Sequence, residues 1–134
     1  MKRLVVIGNG MAACRLLEEL TRLAPDLYQI TVVGDEPFAG YNRVMLSPLL
    51  GGGTDEQTIT TYPHQWYRDR DIRLITGSPV VQIHRHRRQV ITAAGHRLDY
   101  DRLVLATGAA PRQLPVDGVD LKGVMSFRDL HDVR

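Results

Sequence analysis

The sequence contains a single cysteine, Cys14, among 134 residues. One thiol cannot form an intrachain disulfide, so nothing in the chain points to an oxidising compartment. The chain likewise has no cysteine cluster that could ligate an iron–sulfur centre. Because Cys14 occupies an apolar position of a helical pattern, we interpret it as a packing residue and assign it no redox role.

Long apolar runs and clustered charge are also missing. No stretch approaches the length of a membrane helix, and the apolar residues 4–7 end at Gly8, too soon for a signal peptide. We therefore expect a cytoplasmic location. The net charge is +2 with basic residues spread along the chain, which argues against the clustered basic face of a nucleic-acid-binding protein. The length of 134 residues predicts one domain, and the ordinary apolar and charged fractions predict that it is globular.

The N-terminal part of the chain predicts a strand–helix–strand unit. Residues 3–7 read as a short strand of the buried, parallel-sheet kind. A second β-branched run covers residues 28–34. Between them, apolar residues recur at helical spacing and stop before Pro25: Met11, Cys14, Leu16, Leu17, Leu20 and Leu23. Such a unit closes as a right-handed parallel crossover.

The remainder of the chain is less regular. Residues 36–53 carry two prolines and a glycine triplet, and predict a loop with one helical turn near 47–50. A helix is predicted after Pro63. The later segments are a strand at 72–77, a hairpin turning at 85–88, an apolar strand at 103–106, and a connecting tail at 109–134 with a strand-like stretch at 123–127. The predicted fold class is α/β, a three-layer Rossmann-like domain with a mainly parallel sheet and a small β-hairpin or meander layer.

The first turn of the chain carries a motif with a physical mechanism. Gly8-x-Gly10-x-x-Ala13 follows a strand and opens a helix, which is the context of the dinucleotide-binding fingerprint in its G-x-G-x-x-A form. Gly8 permits the tight turn, Gly10 lets the backbone approach a pyrophosphate, and Ala13 allows close helix packing. The free amides and positive dipole end of the helix then face the phosphates. Asp35 and Glu36 end the next strand, where a carboxylate can accept hydrogen bonds from ribose hydroxyls.

The glycine motif alone does not separate NAD from FAD, because both carry the same adenosine diphosphate end. Three segments together do separate them: "VVIGNGMAA", "YNRVMLS" and "YDRLVLATGAAPR". With these segments the whole chain resembles the N-terminal FAD-binding part of the two-dinucleotide-domain flavoprotein reductases, which use FAD and NAD(P)H. Within that class it is most similar to the large subunit of the NAD(P)H-dependent nitrite reductases, with rubredoxin and ferredoxin reductases as near relatives.

The resemblance implies a set of cofactor-binding residues. By the family pattern, the FAD pyrophosphate is surrounded by Gly8, Gly10, Met11 and Ala12, and the adenosine ribose is held by Asp35 or Glu36. Arg43 would lie beside the phosphates or the flavin, and the backbone of Val80 would meet the adenine. The strand-end turn that closes over the dinucleotide would be formed by Ala106, Thr107 and Gly108, and Arg128 would lie near the cofactor.

Two departures from related families refine the resemblance. Many rubredoxin and ferredoxin reductases place a lysine after leucine-serine, near the flavin ring, whereas this chain has Pro48. Nitrite reductases also lack that lysine, which favours them. The disulfide reductases of the superfamily carry a cysteine pair after the second strand, but residues 37–53 contain no cysteine. Dithiol chemistry is therefore excluded.

The implied activity is hydride transfer from NADH or NADPH to FAD, followed by electron transfer to an acceptor. In nitrite reductases, enzymes of nitrate assimilation, that path leads through an iron–sulfur cluster and sirohaem and reduces nitrite to ammonium. No second glycine fingerprint appears in residues 1–134. We therefore expect a fragment that lacks the nicotinamide domain and C-terminal parts, that is inactive alone, and that self-associates through exposed apolar surface.

The sequence is also compatible with two other functions. The chain could serve a rubredoxin or ferredoxin reductase, or it could be a non-catalytic adenine-nucleotide-binding or assembly module. We assign no catalytic residue and no metal ligand; His84 and His86 have same-face spacing but lack a third ligand nearby. The basic run 84–88 is interpreted as a solvated hairpin turn, and Tyr62, Trp66 and Tyr67 as cover for the sheet.

Overall fold

The parallel β-strands predicted from the sequence form the centre of the fold in a computed structural model that describes residues 1–134. In chain order the elements are β1 (Lys2–Ile7), α1 (Met11–Leu23), β2 (Tyr28–Val33), α2 (Leu46–Leu50), α3 (Glu56–Ile59), α4 (His64–Arg68), β3 (Arg73–Ile75), β4 (Val80–His84), β5 (Gln89–Thr92), β6 (Arg97–Asp99), β7 (Arg102–Leu105) and α5 (Leu130–Val133). A 3-10 turn, Arg43–Met45, leads directly into α2.

The central sheet has four strands in the order β3-β2-β1-β7. Every pair in it is parallel, with Ile7 opposite Val33 on one side and Leu105 on the other. Strand β1 is buried from Leu4 to Ile7, which explains its continuous apolar sequence, since a central parallel strand is covered on both faces. The predicted parallel crossover is therefore confirmed.

Alternate residues of β1 point into two different cores, as the period of a strand requires. Leu4 and Val6 pack with Leu17 of α1 and with Tyr67 of α4. On the other face, Val5 and Ile7 pack with Val33 and with residues of the smaller sheet, which are Val90, Leu98 and Tyr100. Helices, parallel sheet and antiparallel sheet thus form the three predicted layers.

The smaller sheet is antiparallel in the order β4-β5-β6. The predicted hairpin joins β4 to β5, and its turn at 85–88 is exposed to solvent. Strand β6, which we did not separate from the segment leading into β7, lies beside β5. The backbone N–H of Arg3 donates to Asp101 at 2.7 Å, and its guanidinium reaches Asp99 at 3.3 Å. These contacts join the two sheets.

Cys14 and Tyr67 have the packing roles expected for them. Cys14 is 2% exposed, and burial raises the pKa of its thiol. Its Sγ lies 3.8 Å from the Tyr67 hydroxyl, and Tyr67 is 1% exposed in the main core. Tyr62 and Trp66 stack at 4.0 Å against the same cluster. The prediction that the aromatic residues cover the sheet is confirmed.

The strand predicted at 123–127 is wrong. These residues form no strand, and Val124, Met125 and Phe127 are 55%, 71% and 46% exposed. A β-branched and aromatic composition favours a strand only where a partner supplies a ladder and a packing face, and this segment has neither. None of the five helices has the length and apolar character needed to span a bilayer.

Two helices, α3 and α5, were not predicted. Each has four residues, too few to display helical periodicity. Aspartate caps define their starts instead: Asp55 accepts from the Thr58 N–H at 2.7 Å, and Asp129 forms a capping box with Asp132. Leu130 of α5 packs with Tyr41, Leu46 and Ile59 in a third small core.

Candidate functional site

A cleft of about 680 Å³ opens at the carboxyl ends of β1, β2 and β7. The chain leaves β1 toward β2 on one side and returns as β7 on the other. The strand order therefore reverses between β1 and β7, and ligands bind in open parallel sheets at the carboxyl edge of such a switch point. The lining comes from the strand ends, the start of α1, the loop after β2 and the Arg128–Asp129 segment.

The wall formed by the glycine motif, residues 8–10, is the glycine corner. The Gly8 N–H donates to the Val33 carbonyl at 2.8 Å, and the Ala106 N–H donates to the Ile7 carbonyl at 2.8 Å. Gly8 has φ +105°, and a β-carbon built on it would lie 2.0 Å from the Ala106 oxygen. The corner therefore exists only with glycine at position 8. The close approach of Gly8 to Ala106 also places the Ala106–Gly108 turn against the glycine motif.

Gly10 is the N-cap of α1, and no side chain caps this helix or places a carboxylate in its first turn. A β-carbon at Gly10 would meet nothing within 4 Å, so the backbone there is open to the cleft. The uncapped amides and the positive end of the helix dipole form a site that attracts an anion. Met11 and Ala12, which follow Gly10, both line the cleft.

Asn9 forms the floor of the glycine corner. Its Oδ1 accepts a hydrogen bond of 3.0 Å from the Tyr67 hydroxyl, whereas its Nδ2 is buried without a protein partner. A buried donor without an acceptor is costly, so a ligand oxygen or a water molecule at this corner would be favoured. The loop after β2 closes tightly on the same floor, because a β-carbon at Gly40 would lie 2.2 Å from the Cys14 Sγ.

The two acids at the end of β2 have different environments. Asp35 is exposed and uses one oxygen to accept from the Glu36 N–H at 2.9 Å. Glu36 is directed instead to the protein, since its Oε2 accepts from the Tyr41 hydroxyl at 2.5 Å and its Oε1 pairs with the Arg43 guanidinium. Its side chain is only 17% exposed. Of the two, Asp35 is the cleft residue that keeps one carboxylate oxygen without a hydrogen bond to the protein.

Tyr41 connects this ion pair to the C-terminal segment. Its hydroxyl accepts from Arg43 Nη1 at 3.0 Å and from the Leu130 N–H at 3.2 Å. Burial, with the hydrogen bond to Glu36 adding to it, raises the pKa of Tyr41 well above its ordinary value. Arg43 Nη1 also donates to the Arg128 carbonyl at 3.0 Å. Glu36, Tyr41, Arg43 and Arg128 form the second wall of the cleft, which we call the rim.

Arg128 differs from Arg43 in its freedom. Its backbone N–H donates to Asp132 at 2.6 Å, a bond that with the Asp129 N–H lowers the pKa of Asp132. Its guanidinium lies 3.8 Å from a β-carbon built at Gly108, so it bridges the rim toward the strand-end turn. Arg43 is ion-paired with Glu36, whereas the Arg128 side chain makes no ion pair, which leaves its charge available to an anion.

The structure brings together all of the predicted cofactor residues except one. Eleven line the cleft: Gly8, Gly10, Met11, Ala12, Asp35, Glu36, Arg43, Ala106, Thr107, Gly108 and Arg128. Val80 is outside the lining and packs beside the second core, so its contact with adenine stays a prediction.

Several lining residues were missed by sequence reasoning, namely Asn9, Gly34, Phe38, Ala39, Tyr41, Ala109, Ala110, Pro111 and Asp129. Five of them fall inside the three quoted segments, so those segments could have marked them: Asn9, Tyr41, Ala109, Ala110 and Pro111. Phe38 and Asp129 carried no such signal, because their place in the cleft depends on how distant segments pack.

A parallel sheet, a glycine corner and an anion-attracting helix start at the sheet's carboxyl edge define an α/β dinucleotide-binding domain. The chain matches the family model described as pyridine nucleotide-disulphide oxidoreductase over residues 2–134. It belongs to that family, which confirms the fold class and the family resemblance inferred from its motifs.

Individual relatives agree with this assignment. The chain is 45% identical over 131 residues to the nitrite reductase [NAD(P)H] of Bacillus subtilis, covering 98% of this chain and 16% of the relative. It is 39% identical to rhodocoxin reductase of Rhodococcus erythropolis, covering 93% of this chain and 29% of that protein. The ferredoxin reductase for the CYP199A2 system of Rhodopseudomonas palustris has a TM-score of 0.90 at 31% identity, over 99% of this chain and 33% of that one. The chain thus spans a third or less of each relative.

Proposed function

We propose that this chain is the FAD-binding part of an NAD(P)H-dependent oxidoreductase and that its cleft holds the adenosine diphosphate half of FAD. The observation that carries the proposal is the glycine corner, where the Gly8 turn, the open Gly10 backbone and the uncapped start of α1 converge. The buried Nδ2 of Asn9 at the same corner lacks a partner, which fits an oxygen-rich ligand.

The residues divide into roles by their free groups. The amides at Met11 and Ala12 would hold the pyrophosphate, with the unpaired guanidinium of Arg128 facing it from the rim. Asp35 would accept from the ribose hydroxyls, because the Glu36 oxygens are already bonded. When bound, FAD would supply the electron-transfer chemistry, and the protein would supply position and electrostatics.

We propose nitrite reduction as the activity of the complete enzyme. The chain aligns with 16% of the Bacillus subtilis nitrite reductase, so the nicotinamide site and the electron acceptor are assigned to parts outside this alignment. The chain also carries Pro48 at the position where, by the family resemblance, many rubredoxin and ferredoxin reductases have a lysine. A ferredoxin reductase role is the second candidate, favoured by the 0.90 TM-score.

The binding proposal is tested by titrating the purified chain with FAD, following flavin fluorescence and the visible spectrum. Gly10→Asp places a side chain and a negative charge in the phosphate site and is expected to abolish binding. Gly53→Asp is the matched control, because a β-carbon there meets only the Pro48 oxygen at 3.5 Å, outside the cleft lining. Tight NAD binding without FAD binding would instead indicate a nucleotide-sensing module. If the chain bound neither NAD nor FAD, it would be assigned as an assembly module.

The activity proposal is tested with chimeras. This chain replaces the aligned 131 residues of the Bacillus subtilis nitrite reductase or the aligned 126 residues of rhodocoxin reductase. We expect NAD(P)H-dependent nitrite reduction in the first host and weaker transfer in the second. Full activity in the rhodocoxin reductase host alone would favour the ferredoxin reductase role.

We also propose that the isolated chain self-associates through the exposed apolar side chains of its tail. Leu114, Val116, Leu121, Val124 and Met125 are between 55% and 71% exposed, and several large apolar side chains exposed on one segment favour association. Sedimentation velocity is expected to show dimers or larger species whose fraction rises with concentration. Replacement of Leu114, Leu121 and Met125 by serine should restore the monomer. A monomer at all concentrations contradicts the proposal.

A further inference from the structure

We propose that Tyr41 is the positioning residue of the cleft, and that its hydroxyl sets the place of Arg128 relative to the glycine corner. The inference rests on the proposed function, in which Arg128 faces the diphosphate. Tyr41 itself does not touch the ligand in this scheme. It acts through the groups that it orients.

The hydrogen-bond capacity of the Tyr41 hydroxyl is fully used within the protein. A phenol has one donor and two acceptor sites. The proton goes to Glu36 Oε2 at 2.5 Å, and the lone pairs accept from Arg43 Nη1 at 3.0 Å and the Leu130 N–H at 3.2 Å. No site is left for a ligand, which separates a positioning role from a binding role.

The ring of Tyr41 is anchored independently of its hydroxyl. Tyr41 is 5% exposed, and its ring packs with Leu46, Ile59 and Leu130. A backbone bridge to Thr60 fixes its main chain. Removing only the oxygen therefore leaves the packing in place, so phenylalanine is a specific probe of the hydroxyl.

The hydroxyl connects parts of the chain that no regular element joins. Tyr41 and Leu130 are 89 positions apart, and α5 contacts the rest of the protein beside α2 rather than through a sheet. Arg43 Nη1 donates both to the Tyr41 hydroxyl and to the Arg128 carbonyl at 3.0 Å. Two hydrogen bonds to the Arg128–Leu130 backbone therefore depend on the Tyr41 hydroxyl oxygen. The bond from the Leu130 N–H depends on it directly, and the bond to the Arg128 carbonyl depends on it through Arg43. Because these groups are partly buried, their hydrogen bonds are stronger than they would be in water.

The test compares ADP with adenosine as probes of Tyr41→Phe in the full chain, by calorimetric or NMR titration. In the proposed complex Arg128 meets only the phosphates. Tyr41→Phe should therefore bind ADP roughly tenfold more weakly than the wild-type chain does, while its affinity for adenosine changes less than twofold. Amide exchange at Leu130 should accelerate, because its N–H loses its acceptor. Arg128→Gln should give the same selective loss, and the double variant should lose no more than either single one.

Tyr100→Phe is the matched control, because Tyr100 is 8% exposed in the second core, away from the cleft. Asp132→Ala serves as a second probe should Tyr41→Phe fail to fold, since it releases the Arg128 and Asp129 amides and should also weaken ADP selectively. Equal losses for ADP and adenosine, or no loss, would overturn the positioning role. A wild-type chain that binds neither probe would overturn the proposed function, and this inference with it.

Discussion

The glycine corner and the rim face each other across one cleft but are built by different physics. The corner and the loop after β2 that closes on its floor are shaped by backbone and by space, since Gly8 in the corner and Gly40 in that loop leave no room for a β-carbon. The rim is shaped by hydrogen bonds and charge between Glu36, Tyr41 and Arg43. Corner variants should therefore fail by added volume, and rim variants by a lost partner. Four predictions test this contrast.

Gly8→Ala is expected to have the largest effect. Its β-carbon would lie 2.0 Å from the Ala106 oxygen at φ +105°, so both backbone strain and a clash oppose it. We expect the unfolding free energy to fall by about 2–5 kcal/mol and the cleft to be disrupted. Denaturant unfolding followed by circular dichroism measures the loss. Gly52→Ala is the control, because it has φ +74° with nothing within 4 Å; an equal loss there would show that the clash is unimportant.

Gly40→Ala should destabilise the chain by about 1–3 kcal/mol. The added β-carbon would lie 2.2 Å from the Cys14 Sγ, in a core that cannot expand. Cys14→Ala removes that sulfur, so the double variant should be more stable than the sum of the single effects predicts. A double-mutant cycle on unfolding free energies measures the coupling. Strict additivity would mean that Gly40 is limited by another neighbour.

Asp35→Asn and Glu36→Gln, two changes just after the end of β2, should separate ligand binding from fold stability. Asp35 has a free oxygen, so its variant should weaken adenosine binding by about 1 kcal/mol with little change in stability. Glu36 is bonded to Tyr41 and Arg43, so its variant should lower the unfolding free energy by about 1 kcal/mol and leave adenosine affinity within twofold. NMR titration and thermal unfolding give the two readouts. The reverse pattern would assign the ribose to Glu36.

The corner was predictable from the sequence because its determinants are local. The apolar run 4–7, the glycines of the motif and the helical spacing after Met11 lie within a few turns of one another. Their geometry follows from φ freedom and amphipathic periodicity alone. The hairpin at 85–88 was predictable for the same reason.

The rim was predictable only in part. Arg43 and Arg128 were inferred from a resemblance, but the Tyr41 contacts with Leu130 join positions 89 apart, and no local pattern encodes such a bond. The wrong prediction of a strand at 123–127 has the same cause, because a segment forms a strand only where a neighbouring strand pairs with it. Residues whose roles depend on distant packing, such as Asp129, could not be found from the sequence.

The smallest predicted effect concerns alkaline pH. Burial raises the pKa of Cys14, Tyr41 and Tyr67 above their ordinary values of 9.0 for the thiol and 10.0 for the phenols. Above about pH 9 the unfolded chain releases protons that the folded chain retains, so stability is fully present below that pH and falls as pH rises. Tyr41→Phe removes one of the three groups, and its stability should fall less steeply between pH 9 and 11. Urea unfolding at successive pH values compares the slopes, and parallel slopes would mean that the Tyr41 hydroxyl titrates in the folded rim as it does in the unfolded chain.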